Sequence, residues 1–119
     1  MALRTREALK TLLKHITMFL DDELYNKTVN HEIESGEALG KLIHQLYKIC
    51  EDRLRDTLTL QMSYKDVTRT FDRIFNSWDL FIKRLDKEDY IFTDIIKDFP
   101  FRDTILKNKE IDRIYKRGK

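Results

Sequence analysis

Residues 63–85 read SYKDVTRTFDRIFNSWDLFIKRL. Val67, Phe71, Ile74, Phe75, Trp78, Phe81, Ile82 and Leu85 recur at steps of three, four and one. That spacing places them on one face of an α-helix, and no strand of period two buries this set on one side. Ser63 stands at the N-cap place, with Asp66 at the third position of a capping box. Asp86-Lys87-Glu88-Asp89 closes the run. The helix predicted over 64–86 needs neighbours of similar length to cover its apolar face.

The flanking sequence supplies them. Upstream, Leu9, Leu12, Leu13, Ile16, Leu20 and Leu24 form a stripe that predicts a helix over 5–25, capped by Thr5. Asp21, Asp22 and Glu23 then fall near its C-terminal end, where the helix dipole disfavours negative charge. Asn26-Lys27-Thr28 reads as the break, Asn being suited to the left-handed position after a helix. Val29, Ile33, Gly36, Gly40, Ile43, Tyr47, Cys50 and Leu54 carry the next stripe, and Leu39, Leu42 and Leu46 a neighbouring one. They predict a helix over 30–60 capped by Asn30, with Ser35 as the alternative start. The Gly36/Gly40 pair marks either a close helix approach or a loose helix start.

Downstream, Tyr90, Ile91, Ile95, Ile96 and Phe99 predict a short helix over 89–98, capped by Asp89 or Thr93. Pro100 holds Phe99 extended and ends it. Phe101, Ile105, Ile111, Ile114 and Tyr115 predict a last helix over 101–116, with Lys107-Asn108-Lys109 as the place to fray or split.

The expected fold class is all-α: one domain over 1–119, an up-and-down antiparallel helical bundle of three long helices plus one or two shorter C-terminal helices. The composition agrees. With 3 Gly and 1 Pro in 119 residues, the chain lacks the turn residues of a sandwich or barrel. Charged residues make up 37%, and 23 Lys and Arg nearly balance 21 Asp and Glu, for a net charge of +2. That mixture suits amphipathic helices with charged outer faces, and it does not describe a protein that coats polyanions. Burial of about two thirds of the extended surface is expected at this length, enough for a core without metal or disulfide staples. Cys50 is the sole cysteine, which fits a reducing compartment. The opening Met1-Ala2-Leu3-Arg4-Thr5-Arg6-Glu7 puts a Glu where an apolar leader should run. Apolar runs such as Met18-Phe19-Leu20 are far too short to cross a membrane. A cytoplasmic location is expected, or a host-cell interior for a viral chain.

Catalytic patterns are missing. His15, His31 and His44 are preceded three residues earlier by Leu12, Thr28 and Lys41, so the Glu-x-x-His of di-metal bundles is absent. His31-Glu32 begins like a zincin motif, but Ser35 stands where the second His belongs. Glu37, His44 and Glu51 recur every seven residues and read as a solvated polar face. Cys50 lies in an apolar stripe with no base beside it. No glycine-rich phosphate loop is present. No catalytic residue, metal ligand or cofactor is assigned.

Two features remain. Of 13 aromatic residues, 10 lie after residue 63. Phe71, Phe75, Trp78 and Phe81 have core spacing. Phe92, Phe99, Phe101 and Tyr115 come from the irregular end and are the candidate partner-binding residues, unless that end folds back to cap the bundle. Charge is also unevenly placed. Residues 100–119 hold seven basic and three acidic side chains, whereas acids gather at 21–23 and 32–37. A nucleic-acid interface would use Arg102, Lys107, Lys109, Arg113, Lys116 and Arg117, with a second row at Lys65, Arg69 and Arg73.

The expected function is a non-enzymatic protein–protein interaction or regulatory module whose partner is another protein. Its Lys-, Ile- and Asp-rich usage suits a small accessory protein of a bacterium, phage or virus. The alternative is a nucleic-acid-associated regulator using the basic C-terminal segment. A third reading is a metal-binding or enzymatic bundle built from distant carboxylates and His44. A homodimer would also cover the wide apolar arc of the third helix.

Overall fold

The computed structural model describes residues 2–58 and 62–119, with side chains from residue 6 onward. Its elements are α1 (Ala2–Met18), a π-helical segment (Phe19–Tyr25), α2 (Asn26–Val29), α3 (Gly36–Leu58), α4 (Tyr64–Lys87), α5 (Thr93–Asp98), α6 (Phe101–Leu106) and α7 (Lys109–Arg117). Among the described residues there is no strand, and the fold is an all-α helical bundle.

The first helix differs most from expectation. It begins at Ala2, upstream of the expected cap at Thr5, and runs unbroken through the π segment to Val29. Asn26 has φ −64° and ψ −38°, ordinary right-handed helix, so no break falls at 26–28. The buried residues explain the wider turn. Ile16, Leu20, Leu24 and Thr28 are all buried and spaced by four. In an α-helix a four-residue step overshoots a full turn by about 40°. A π turn takes up that excess, so all four stay on the core.

The rod ends by a Schellman cap at His31, not Asn26. His31 has φ 57°, its N–H donates to Thr28 O (3.2 Å), and the Glu32 N–H donates to Lys27 O (2.8 Å). The predicted Asn30 cap of the second helix is therefore replaced by the alternative. Ser35 Oγ accepts from the Ala38 N–H at 3.1 Å, and α3 starts at Gly36. The predicted end of this helix at residue 60 lies outside the described residues. A Cβ added to Gly36 would meet Ile95 Cδ1 at 3.2 Å, whereas at Gly40 there is ordinary room. Only the first glycine serves a close approach.

Helix α4 ends in the same way as the first rod. Asp89 has φ 50°, with its N–H on Asp86 O and the Tyr90 N–H on Leu85 O. Ser63 occupies the N-cap of α4 but its side chain makes no cap hydrogen bond. The split at 107–109 is real: Asn108 accepts from the Glu110 and Ile111 N–H groups and starts α7. Neither expected cap serves α5, whose N-cap is Phe92.

Because His31 carries a Cβ in a left-handed position, His31→Gly is expected to raise stability by about 0.5–1 kcal/mol. Asp89→Gly should gain less, since Asp tolerates that region better. Urea unfolding of both variants checks this; a loss at position 31 would contradict the cap.

Packing follows an up-down-up path. Residues 6–13 lie beside 66–73, 17–21 beside 77–84, and 28–31 beside 85–90, so the first rod and α4 run parallel. The short link at 30–35 turns α3 back between them in chain order. The C-terminal segment then descends along α4. Lys97 Nζ reaches Asp86 at 2.8 Å, Phe101 lies on Trp78, and Thr68 Oγ1 donates to Tyr115 O at 3.0 Å. It forms a fourth side broken into three short helices. The bundle measures 44 × 23 × 22 Å.

Candidate functional site

The C-terminal aromatics are distributed between core and half-buried positions. Phe101 and Tyr115 are buried, and Phe92 and Phe99 are half-buried against the core. The Phe101 ring is stacked on Trp78 of α4 (centroids 4.6 Å, 13°) and on Tyr47 of α3 (5.6 Å, 22°), with its edge contact to Phe75 at 6.3 Å. Phe92 packs edge-on to Tyr90. The end of the chain folds back and closes the bundle, so Phe101 and Tyr115 are not available as exposed anchors in this fold. The wide apolar arc of α4 is covered from within the chain, by the first rod and by α5–α7. Leu80, on the outer side of α4, stays 59% exposed.

Most C-terminal cations also have partners. Arg113 pairs with Glu110, and Lys116 with Asp112 at 3.0 Å. Arg117 donates to the Tyr64 hydroxyl at 3.1 Å, and Arg102 to the Tyr115 hydroxyl at 3.3 Å. Arg117 and Arg113 hold the Tyr64 phenol below its ordinary pKa, the Arg117 hydrogen bond being the main cause. Lys107 and Lys109 extend to solvent without an ion-pair partner among the described residues.

A groove lies elsewhere, between the first rod and α3. It encloses about 450 Å³ and is lined by His15, Met18, Phe19, Asp22, Glu23, Ile49, Asp52, Arg53 and Asp56. Its floor is apolar. Met18 is 46% exposed, Ile49 is half-buried, and Phe19 is buried beneath. Its walls are acidic, four carboxylates against one guanidinium and one imidazole. Asp22, Glu23 and Asp52 have no ion-pair partner among the described residues.

The π segment builds one wall. It turns Asp22 and Glu23 into the groove, while Asp21 faces α4 and meets Arg84 at 2.9 Å. The Arg84 guanidinium also lies 3.7 Å above the Tyr25 ring, clamping the segment to α4. The acids that seemed misplaced at a helix end are mid-rod residues, because the helix continues to Val29. Sequence reading noticed Asp21-Asp22-Glu23 but missed Met18, Ile49, Asp52 and Asp56. The available signal was an apolar residue one step beside each main stripe.

Cys50 is buried in the seam between α3 and α6–α7, near Ile105 and Ile111. Burial pushes its thiol up to about 12, so it is an inert, protonated group at neutral pH. Among the described residues, no three His, Cys, Asp or Glu side chains converge as a metal site. No described helix is long and apolar enough to cross a membrane. Scans against protein-family models, curated proteins and solved structures found no match to this chain.

Proposed function

We propose that the protein is a helical interaction module whose α1–α3 groove receives a basic amphipathic helix of a partner protein. The observation that carries this reading is the exposed apolar floor of Met18 and Ile49 between walls of Asp22, Glu23, Asp52 and Asp56. An apolar floor binds one face of an amphipathic helix. Carboxylate walls select Lys and Arg on its flanks and repel acidic competitors. The groove runs from residue 15 to residue 23 along the first rod, about 12 Å, which matches roughly two turns of a docked helix. No catalytic step is required of any of these residues.

The test uses two labelled designed helices of the same apolar pattern, one Lys-rich and one Glu-rich, read by fluorescence anisotropy. The Lys-rich helix should bind, and Met18→Lys or the Asp22→Asn/Asp52→Asn pair should weaken it about tenfold, roughly 1.4 kcal/mol. Glu32→Gln/Glu34→Gln, at the other acidic cluster, should leave it unchanged. Equal affinity for both helices, or equal loss in the Glu32/Glu34 control, would defeat the reading.

A further inference from the structure

A second groove lies between the first three turns of α4 and the start of the first rod. Arg6, Lys10, Arg69 and Arg73 line it, together with Leu9, Leu13, Thr70 and Asp66, around about 180 Å³. The two parallel helices each contribute a pair of cations at i,i+4, so two cationic rows face one another across it. All four cations are exposed. Among the described residues none of the four has an ion-pair or hydrogen-bond partner, although Asp66 stands in the same groove.

Arg84, Lys97, Arg113, Lys116 and Lys119 each meet a carboxylate, and Lys107 and Lys109 extend to solvent; what marks this place is that four cations from two helices line one groove. Four cations against the one carboxylate of Asp66 leave the groove with a net positive charge, which favours a bound polyanion. The Thr70 hydroxyl is turned back onto Asp66 O at 2.9 Å, so recognition here is by charge and not by hydroxyl donation.

We infer that this groove is a binding site for the phosphodiester backbone of a nucleic acid strand. Lys65, one helical turn before Arg69, extends the α4 row over nine residues, about 12 Å. That is longer than one phosphate group and matches a run of successive phosphates along a strand. Arg presents a planar fork that engages phosphate oxygens in pairs, and three of the four lining cations are Arg. The site lies away from the acidic groove and does not depend on it.

It also differs from the sequence-based expectation. The C-terminal cations are largely taken up by internal partners, while Arg69 and Arg73 are joined by Arg6 and Lys10, each 63 residues earlier in the chain.

The experiment is fluorescence polarisation with a labelled 12-nucleotide single strand, repeated across salt concentrations. Affinity should fall with salt with a logarithmic slope of about 0.7 per phosphate contacted. Arg69→Gln/Arg73→Gln and Arg6→Gln/Lys10→Gln should each weaken binding about tenfold or more. Lys109→Gln/Lys116→Gln should change it less than twofold. Undiminished binding in the groove variants would overturn the site. So would tight binding of inorganic tripolyphosphate with none of the oligonucleotide, which would mean that a free polyphosphate is held and not a strand.

Discussion

Phe101→Ala is expected to cost about 3–5 kcal/mol, a large part of the 5–15 kcal/mol that holds a domain of this size together. The ring is 2% exposed and is the piece that joins α3 to α4. Its two faces are used by Tyr47 and Trp78 and its edge by Phe75. Truncation removes the ring's own burial and leaves a cavity that three other aromatic rings line. None of these can fill it easily, since Tyr47 is fixed to α3 and Phe75 and Trp78 to α4. Stacking adds about 0.5–1.5 kcal/mol per aromatic pair beyond area burial. Phe92→Ala, at a half-buried site with one ring partner, should cost clearly less. Urea unfolding followed by circular dichroism measures both. Trp78 is the sole tryptophan, and its emission should shift to the red when the ring above it is removed. A loss below about 1.5 kcal/mol, without a spectral change, would mean that α6 does not hold the bundle closed.

The same ring shows where sequence reading stops. The stripe over 67–85 was legible because one helix buries one face, and its spacing is set by helix geometry alone. The positions of α3 and α4 as long helices followed from the same rule. Phe101 was visible as an aromatic residue beside a proline, but whether it faced a partner or the core depended on how the last twenty residues fold back. That is a tertiary matter with no local signal. The π segment had a signal, the four-residue steps from Ile16 to Thr28, but a run of fours also fits a slightly drifting α-helix. The cap expected at Asn26 failed for a simpler reason. Asn26 is a residue that such positions prefer, yet the first rod runs on to Val29 and His31 takes the left-handed position, while Ser63 does stand at the N-cap of α4 without a side-chain cap bond. The acidic groove and the cationic groove each need two helices placed side by side. Asp22 and Asp52, or Arg6 and Arg69, are unremarkable until the topology joins them.

Alkaline pH is expected to destabilise the protein chiefly through Cys50. Desolvation raises this thiol from its ordinary 9.0 to about 12 in the folded state, with the nearby Glu51 charge adding to the effect. In the unfolded chain the thiol ionises near its ordinary value. The folded form therefore retains a proton that the unfolded form releases. The stability contribution is full below about pH 9 and is lost as pH rises through the folded value. Three pH units at 1.36 kcal/mol each give up to about 4 kcal/mol lost between pH 9 and 12. Tyr47 and Tyr90 act in the same direction, since burial raises both phenols. Lys97 and Lys119 are held above the ordinary lysine range, by Asp86 and by Tyr115 with Asp72 respectively. Tyr90 and the lysines contribute alike in the parent protein and in Cys50→Ala, whereas the Tyr47 phenol is raised in part by the Cys50 charge, so the comparison reads the thiol together with that part of Tyr47. Cys50→Ala should be less stable at pH 7, because it removes a buried group. Its stability should then fall less steeply than the parent's above pH 9, so that the two curves converge and cross if the cavity cost is small. Denaturant unfolding at pH 7, 9, 10 and 11 measures the slopes, and the folded parent should resist alkylation by iodoacetamide until it unfolds. Parallel curves for the two proteins would place the alkaline loss in the tyrosines and lysines and remove Cys50 from the account.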